Sequence, residues 1–227
     1  MARKSAVKQR AARVRRAAEN SWAVVGIDAS VSSISGCMIA YDALLDQMRG
    51  PGIFQVRWTH GDHFLDRLAQ AVRAADFIHS LQTAVGPMSI PADNIWIGIE
   101  EAWPAGIVRR AESQWLRQQA EICGAFRGGL VRYGYTRVYE VNASSWRSAV
   151  AHDMDMKMNR DFNKWHVKKW AMFSYGVEDR PDLIQSRKGL IPKPADSKAK
   201  AVQPDDIYDA CGIMDFMVTT RAAEVEE

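Results

Sequence analysis

The sequence predicts a mixed α/β fold in a single globular domain, and three observations carry that expectation. Four short apolar runs of five to seven residues (22–27, 34–40, 53–58 and 95–99) have the length and composition of buried strands. Longer stretches instead space their apolar residues three and four apart, the period of a helix face. The order of the two kinds is three strands, a helix, a strand, a helix, a strand and terminal helices, which argues against an all-helical module.

Element by element, Trp22-Ala-Val-Val-Gly-Ile27 is a strand buried on both faces, and it ends at Asp28. A Ser-rich turn follows, then strands over 34–40 and 53–58, with Gly50-Pro51-Gly52 as the turn of an antiparallel meander. Phe64, Leu65, Leu68, Ala71, Val72, Ala75, Ile78 and Leu81 recur at three- and four-residue spacing, which predicts an amphipathic helix over 63–84, stopped by Gly86-Pro87. Ile95-Trp-Ile-Gly-Ile99 is a second buried strand, running into Glu100 and Glu101. A helix from about 106 to 127 closes at Gly128-Gly129, followed by a strand over 137–141 and helices over 144–151 and 160–175. Residues 180–203 carry three prolines and six basic residues against two acids, which predicts a mobile basic loop. Pro204 opens a final helix to about Thr220, where a first-turn proline loses no hydrogen bond.

Charge is distributed unevenly. Of 227 residues, 30 are Lys or Arg and 27 Asp or Glu, a net charge of +3. The first twenty residues hold Arg3, Lys4, Lys8, Arg10, Arg13, Arg15 and Arg16 against Glu19 alone, so they sum to +6 and the remainder to −3. Such an arm suits a polyanion, nucleic acid or an anionic membrane surface, and should be disordered until bound. The domain organisation is therefore a basic arm over 1–20, a folded domain over 21–222 and a short tail over 223–227. No run approaches the roughly 18 apolar residues of a membrane span, and no secretory h-region is present. The expected location is the cytoplasm of a bacterial or phage-infected cell, or a mitochondrion if the acid-poor, Arg-rich arm is a transit peptide. Cys37, Cys123 and Cys211 form no CxxC pair and read as reduced core residues.

The chemistry lies in the acids. Asp28 and Glu100 each end an apolar strand, where a carboxylate serves as readily to form a turn as to bind a ligand. Asp206 and Asp209, at i and i+3, share a helix face that continues through Ile213 and Phe216 toward the sheet. Two carboxylates at the head of a buried face repel one another and are costly to desolvate, a conflict that a cation resolves. The competing explanation, stabilisation of a helix N-terminus, fits Asp205 best. An oxygen-only set of Asp28, Glu100, Asp206 and Asp209 suits Mg²⁺ or Mn²⁺, two per site, rather than structural zinc. Four carboxylates around two hard ions imply phosphodiester cleavage, and with the basic arm they predict a metal-dependent nuclease acting on DNA.

These residues resemble a known family. Gly26-Ile-Asp28, Ser35-Gly-Cys-Met-Ile39, Ile99-Glu100 and Asp206-Ile-Tyr-Asp209-Ala210, in that order over about 190 residues, are similar to the RuvC-like Holliday junction resolvases of the RNase H-like superfamily. The resemblance implies an RNase H-like fold: a five-stranded mixed sheet flanked by helices, with the first and fourth strands side by side and Asp28 and Glu100 beneath the last helix. It implies that Glu100 rather than Glu101 is the ligand, and that Trp103 stands where the family wedges an aromatic into the junction, unless it is simply a packed aromatic. Arg147 and Lys164 resemble two basic positions that steady the scissile phosphate. It further implies a homodimer, since paired symmetric nicks in a four-way junction need two sites related by a two-fold axis. The long arm and the 180–203 loop depart from the bacterial enzymes and make the chain similar to a divergent, phage-encoded member.

Alternatives share parts of the pattern. The same acids would serve an RNase H-like nuclease acting on RNA–DNA hybrids or other branched DNA. Gly26-Ile-Asp28-Ala-Ser30 also resembles the first phosphate loop of actin-like ATPases, but no second Gly-rich loop follows. A non-catalytic DNA-binding protein would have had no use for four carboxylates. His60 and His63 with Asp62 read as polar residues at a helix start rather than a zinc site, and His166, beside Lys164, as a surface residue rather than an aid to the site.

Overall fold

The structure, a computed structural model of the chain, describes residues 20–58, 63–85, 90–101, 110–159, 161–177, 183–186, 189–192 and 205–225. The arm residues Arg3 to Arg16, Trp103, His60 and Asp62 lie outside them. Five strands make one sheet: β1 (Trp22–Ala29), β2 (Ser33–Asp42), β3 (Gln47–Arg57), β4 (Ile95–Glu100) and β5 (Val138–Val141). Their order is β3-β2-β1-β4-β5, antiparallel from β1 through β2 to β3 and parallel from β1 through β4 to β5. The helices are α1 (Phe64–Val85), α2 (Arg110–Arg132), α3 (Ala143–Asp153), α4 (Lys164–Tyr175) and α5 (Asp205–Val225). None among the described residues is long and apolar enough to cross a membrane.

Strand alternation sorts the core into two layers. Ala23, Val25 and Ile27 of β1 and Ile95, Ile97 and Ile99 of β4 face Ala71, Ala75 and Ile78 of α1 and Ile122, Phe126 and Leu130 of α2. The opposite faces, with Val24 and Cys37, meet Trp146, Val150, Val167, Trp170 and the α5 residues Ala210, Ile213, Met214 and Met217. Gly26 and Gly98 occupy register-matched positions on this second face. A Cβ on Gly26 would lie 2.1 Å from the Ala210 carbonyl oxygen and 2.3 Å from the Met214 nitrogen, so the missing side chain is what lets α5 rest on β1.

The cysteines are free and buried, as expected of reduced core residues. Cys37 and Cys211 lie 3.1 Å apart, Sγ to Sγ, where α5 crosses β2. Burial pushes the Cys123 thiol up to about 11.

Three expected boundaries change. Gly50-Pro51-Gly52 is no turn: β3 begins at Gln47, the reversal falls at 43–46, and the Gly-Pro-Gly sits at a register shift opposite Met38 and Ala40. A proline is tolerated there because β3 is the edge strand of the sheet, with no partner on its outer side among the described residues. Gly128-Gly129 does not end its helix. Gly129 is where α2 touches α1, a Cβ there falling 2.4 Å from the Val72 carbonyl oxygen, and α2 runs on to Arg132 before Gly134 takes a left-handed φ of 76°. Finally, the 180–203 segment, expected as a mobile loop, contains an antiparallel hairpin of β6 (Leu183–Ser186) and β7 (Gly189–Pro192). Leu183 and Ile184 pair with Pro192 and Ile191, an apolar pattern that the surrounding prolines and charges obscured.

Candidate active site

The same alternation that sets the two layers places the acids. Two residues past Gly26 on its face of β1 comes Asp28; two past Gly98 on its face of β4 comes Glu100. Ile27 and Ile99 are in register in the parallel pair, so the two carboxylates sit on adjacent strand ends. α5 lies across both strands and brings Asp206 and Asp209 from its first turns over the same ends. Arg147 comes from α3 and Lys164 from the start of α4. All six line one cavity of about 640 Å³.

Asp28 and Asp209 are buried polar residues. Burial raises Asp28 well above the ordinary carboxylate range, and Glu100, Asp206 and Asp209 push it further the same way. Glu100 is raised too, by burial and by Asp209, although Arg147, Lys164 and a hydrogen bond with Asp28 oppose the shift. Asp209 is raised by burial even though Lys164 Nζ lies 3.5 Å and Arg147 Nη2 3.9 Å from its Oδ2. For Lys164, burial would lower the pKa, but Asp209, Asp206, Asp205 and Asp28 outweigh it and the ammonium is held in its charged form. Among the described residues four carboxylates thus face two cations in this pocket, and burial favours the protonated forms of Asp28, Glu100 and Asp209.

This donor set fits a hard divalent ion in charge and in atom type, since every donor is a carboxylate oxygen. Among the described residues no three His, Cys, Asp or Glu side chains are already gathered around a common point for a metal. The carboxylates are engaged elsewhere instead: Asp28 with Glu100, Asp206 with a serine, and Asp209 with the two cations.

No family model matches the chain, and no curated protein matches it in sequence. Solved structures do. The chain is similar to Thermus thermophilus RuvC in complex with a Holliday junction substrate, with a TM-score of 0.53 and 15% identity over 88% of this chain and 96% of that one. A further T. thermophilus RuvC structure gives 0.53 and 14% over the same shares. The yeast mitochondrial Holliday junction resolvase Ydc2 gives 0.52 and 12%, covering 92% of this chain and 84% of that chain. The fold is the RNase H-like fold of these resolvases.

Within this resolvase fold, three site residues escaped the sequence reading. Ser33, buried at the head of β2, donates from Oγ to Asp206 Oδ2 at 2.6 Å. Its signal was the alternation Ser33, Ser35, Cys37 against Ile34, Gly36, Met38, which puts the serines on the α5 face. Asn142 caps α3, accepting from the Ser144 N–H at 2.9 Å and donating to Glu101 Oε2 at 3.0 Å, so it fixes the helix that carries Arg147. An Asn directly before Ala-Ser-Ser-Trp was the cue. Gln119 of α2 donates to the Ala29 carbonyl at 2.9 Å, tethering α2 beside Asp28.

His63 and His166 both serve helix starts. His63 offers its carbonyl to the N–H groups of Asp66 and Arg67 at the start of α1. His166 completes a capping box by accepting from the Asn163 N–H at 3.3 Å.

Proposed function

We propose that this protein is a metal-dependent endonuclease that resolves four-way DNA junctions by paired, symmetric phosphodiester cleavage. The observation that carries the reading is the convergence, in one cavity of a resolvase fold, of four under-neutralised carboxylates with Lys164 and Arg147 at their edge. Two Mg²⁺ or Mn²⁺ ions held by Asp28, Glu100, Asp206 and Asp209 would supply an activated water and a stabilised leaving oxygen. Ser33 holds Asp206 in place. Lys164 and Arg147 lean on Asp209 without neutralising it, so their remaining donors are available to a phosphate, the guanidinium offering two in a fixed fork. The structures it resembles act on, or are named for, Holliday junctions, which favours a four-way junction over other branched DNA. Paired cuts call for a homodimer with two such cavities. The basic arm Arg3 to Arg16 adds sequence-independent grip, and Trp103 is the aromatic offered to the junction centre.

The deciding experiment compares cleavage of a four-way junction, a fork, a linear duplex and an RNA–DNA hybrid with and without Mg²⁺. Preferential nicking of the junction is expected, and Asp206→Asn should abolish it while leaving junction binding within about twofold. Undiminished cleavage by Asp206→Asn would remove the site assignment, and preference for the hybrid would favour the RNase H-like alternative.

A further inference from the structure

The helix α4 has an outer face of unexpected composition. Its inner face is conventional: Val167, Trp170 and Ala171 are buried against the second core layer. The opposite face, which on a surface helix should be polar, carries Trp165 at 55% exposure, Met172 at 39% and Phe173 at 93%. Interleaved with them are Lys164, Lys168 and Lys169, and α4 contains no acidic residue at all. The Lys169 ammonium sits over the Trp165 ring, 4.3 Å from its centroid. Exposed apolar groups of this size cost solubility unless a partner covers them.

Two facts choose the partner. First, the row begins inside the catalytic cavity, because Lys164 lines it and approaches Asp209. Second, a second copy of the chain seated symmetrically on this face would set its Lys169 and Trp165 against the same pair, with no acid on either helix to offset the lysines. A polyanion with flat apolar groups meets both demands, phosphates to the lysines and bases to the rings. In a duplex the faces of the bases are covered by stacking on the neighbouring pairs, so an aromatic row on a helix surface reaches only unpaired ones.

Resting on the nuclease reading above, we propose that α4 is a track for an unpaired nucleic-acid strand leading to or from the cavity, with Trp165 and Phe173 as stacking platforms. It would hold bases that come unpaired at the branch point beside the cut.

The test measures binding by the full-length protein in EDTA, where cleavage plays no part, using a fluorescent oligothymidylate of about 20 nucleotides and a blunt duplex of the same length. The double variant Trp165→Ala with Phe173→Ala should lose about tenfold or more in affinity for the single strand and less than about twofold for the duplex. Trp165→Phe should keep most of the affinity and Trp165→Leu should not, because stacking rather than apolar area is at issue. Equal losses on both DNAs, or none, overturn the track, as does a shift of the DNA-free double variant from dimer to monomer, which would make this face an interface between copies. Wild-type cleavage of a four-way junction alongside unchanged single-strand binding in the variants would sink the track and leave the nuclease standing. Absence of cleavage on every substrate would remove the nuclease reading, while the single-strand measurement would still judge the track.

Discussion

Asp28 has its charge disfavoured by burial and by three neighbouring acids, and that has a measurable consequence. Asp28, Glu100 and Asp209 all titrate higher in the folded chain than in the unfolded one. Between the ordinary carboxylate pKa and these raised values the native state binds more protons than the unfolded state, so stability must fall as pH rises through that window. In EDTA the protein should therefore unfold at a lower urea concentration at about pH 8 than at about pH 5. Asp28→Asn should reduce the difference without removing it, because Asp215, raised by its own burial, contributes in the same direction. Mg²⁺ should recover stability at the higher pH, and a pH slope indifferent to Asp28→Asn would mean that the cluster is not its source. Ser33 offers a second residue-scale test. Its 2.6 Å hydrogen bond orients Asp206, and loss of such a support typically weakens metal affinity or activity by about 10- to 100-fold. Ser33→Ala should raise the Mg²⁺ concentration for half-maximal cleavage by that order, with near-wild-type junction binding; an unchanged Mg²⁺ dependence would show that Asp206 needs no such support.

Among the elements, α5 decides whether a site exists, and two glycines decide whether α5 can lie where it does. The cost of filling each differs by what it meets. A methyl group at Gly26 runs into α5 backbone atoms that cannot move without the helix, whereas at Gly98 it meets only side-chain atoms, Met217 Cγ at 2.6 Å first, and an unbranched methionine can adjust. Overpacking a core costs about 1–3 kcal/mol, and more when backbone must shift. Gly26→Ala is thus expected to destabilise by about 3 kcal/mol or more and to separate Asp206 and Asp209 from Asp28, while Gly98→Ala should cost about 1 kcal/mol. Urea unfolding of the two variants checks this, and equal costs would refute the account of α5 docking. At this scale the sequence was only partly legible. Periodicity marks the helices and strands, but Gly128-Gly129 reads as a helix stop and Gly50-Pro51-Gly52 as a turn because, locally, a glycine that ends an element and one that admits a neighbour look alike.

For the molecule as a whole, charge is divided between an arm of +6 and a remainder of −3, and the acids of the cavity belong to the remainder. Two bound divalent ions would reverse the sign around the four carboxylates and make the cavity attractive to phosphate. The arm would then supply the long-range hold while the cavity and its two cations supply the local one. Removing residues 1–20 should weaken junction binding and flatten the dependence of log affinity on log salt, by as much as about 6 if all seven cations contact phosphate. Salt titration of the truncated and full-length proteins reads this directly, and an identical slope would show that the arm makes no DNA contact.

The amino-acid sequence alone determined the fold class, the order of the five sheet strands and the helices around them, the reduced cysteines and the choice of the four candidate acids. Each of these is written in residues close together in the chain: an apolar run ending in a carboxylate, an i, i+3 pair on a helix, a cysteine within an apolar stretch. Only the tertiary structure decided what those acids have for company. The register that sets Ile27 beside Ile99, the glycine gap that seats α5, the serine that holds Asp206 and the approach of Lys164 and Arg147 to Asp209 all join residues tens to hundreds of positions apart. Such contacts follow from the simultaneous packing of both faces of the sheet, and no local pattern encodes them because no short segment contains both partners.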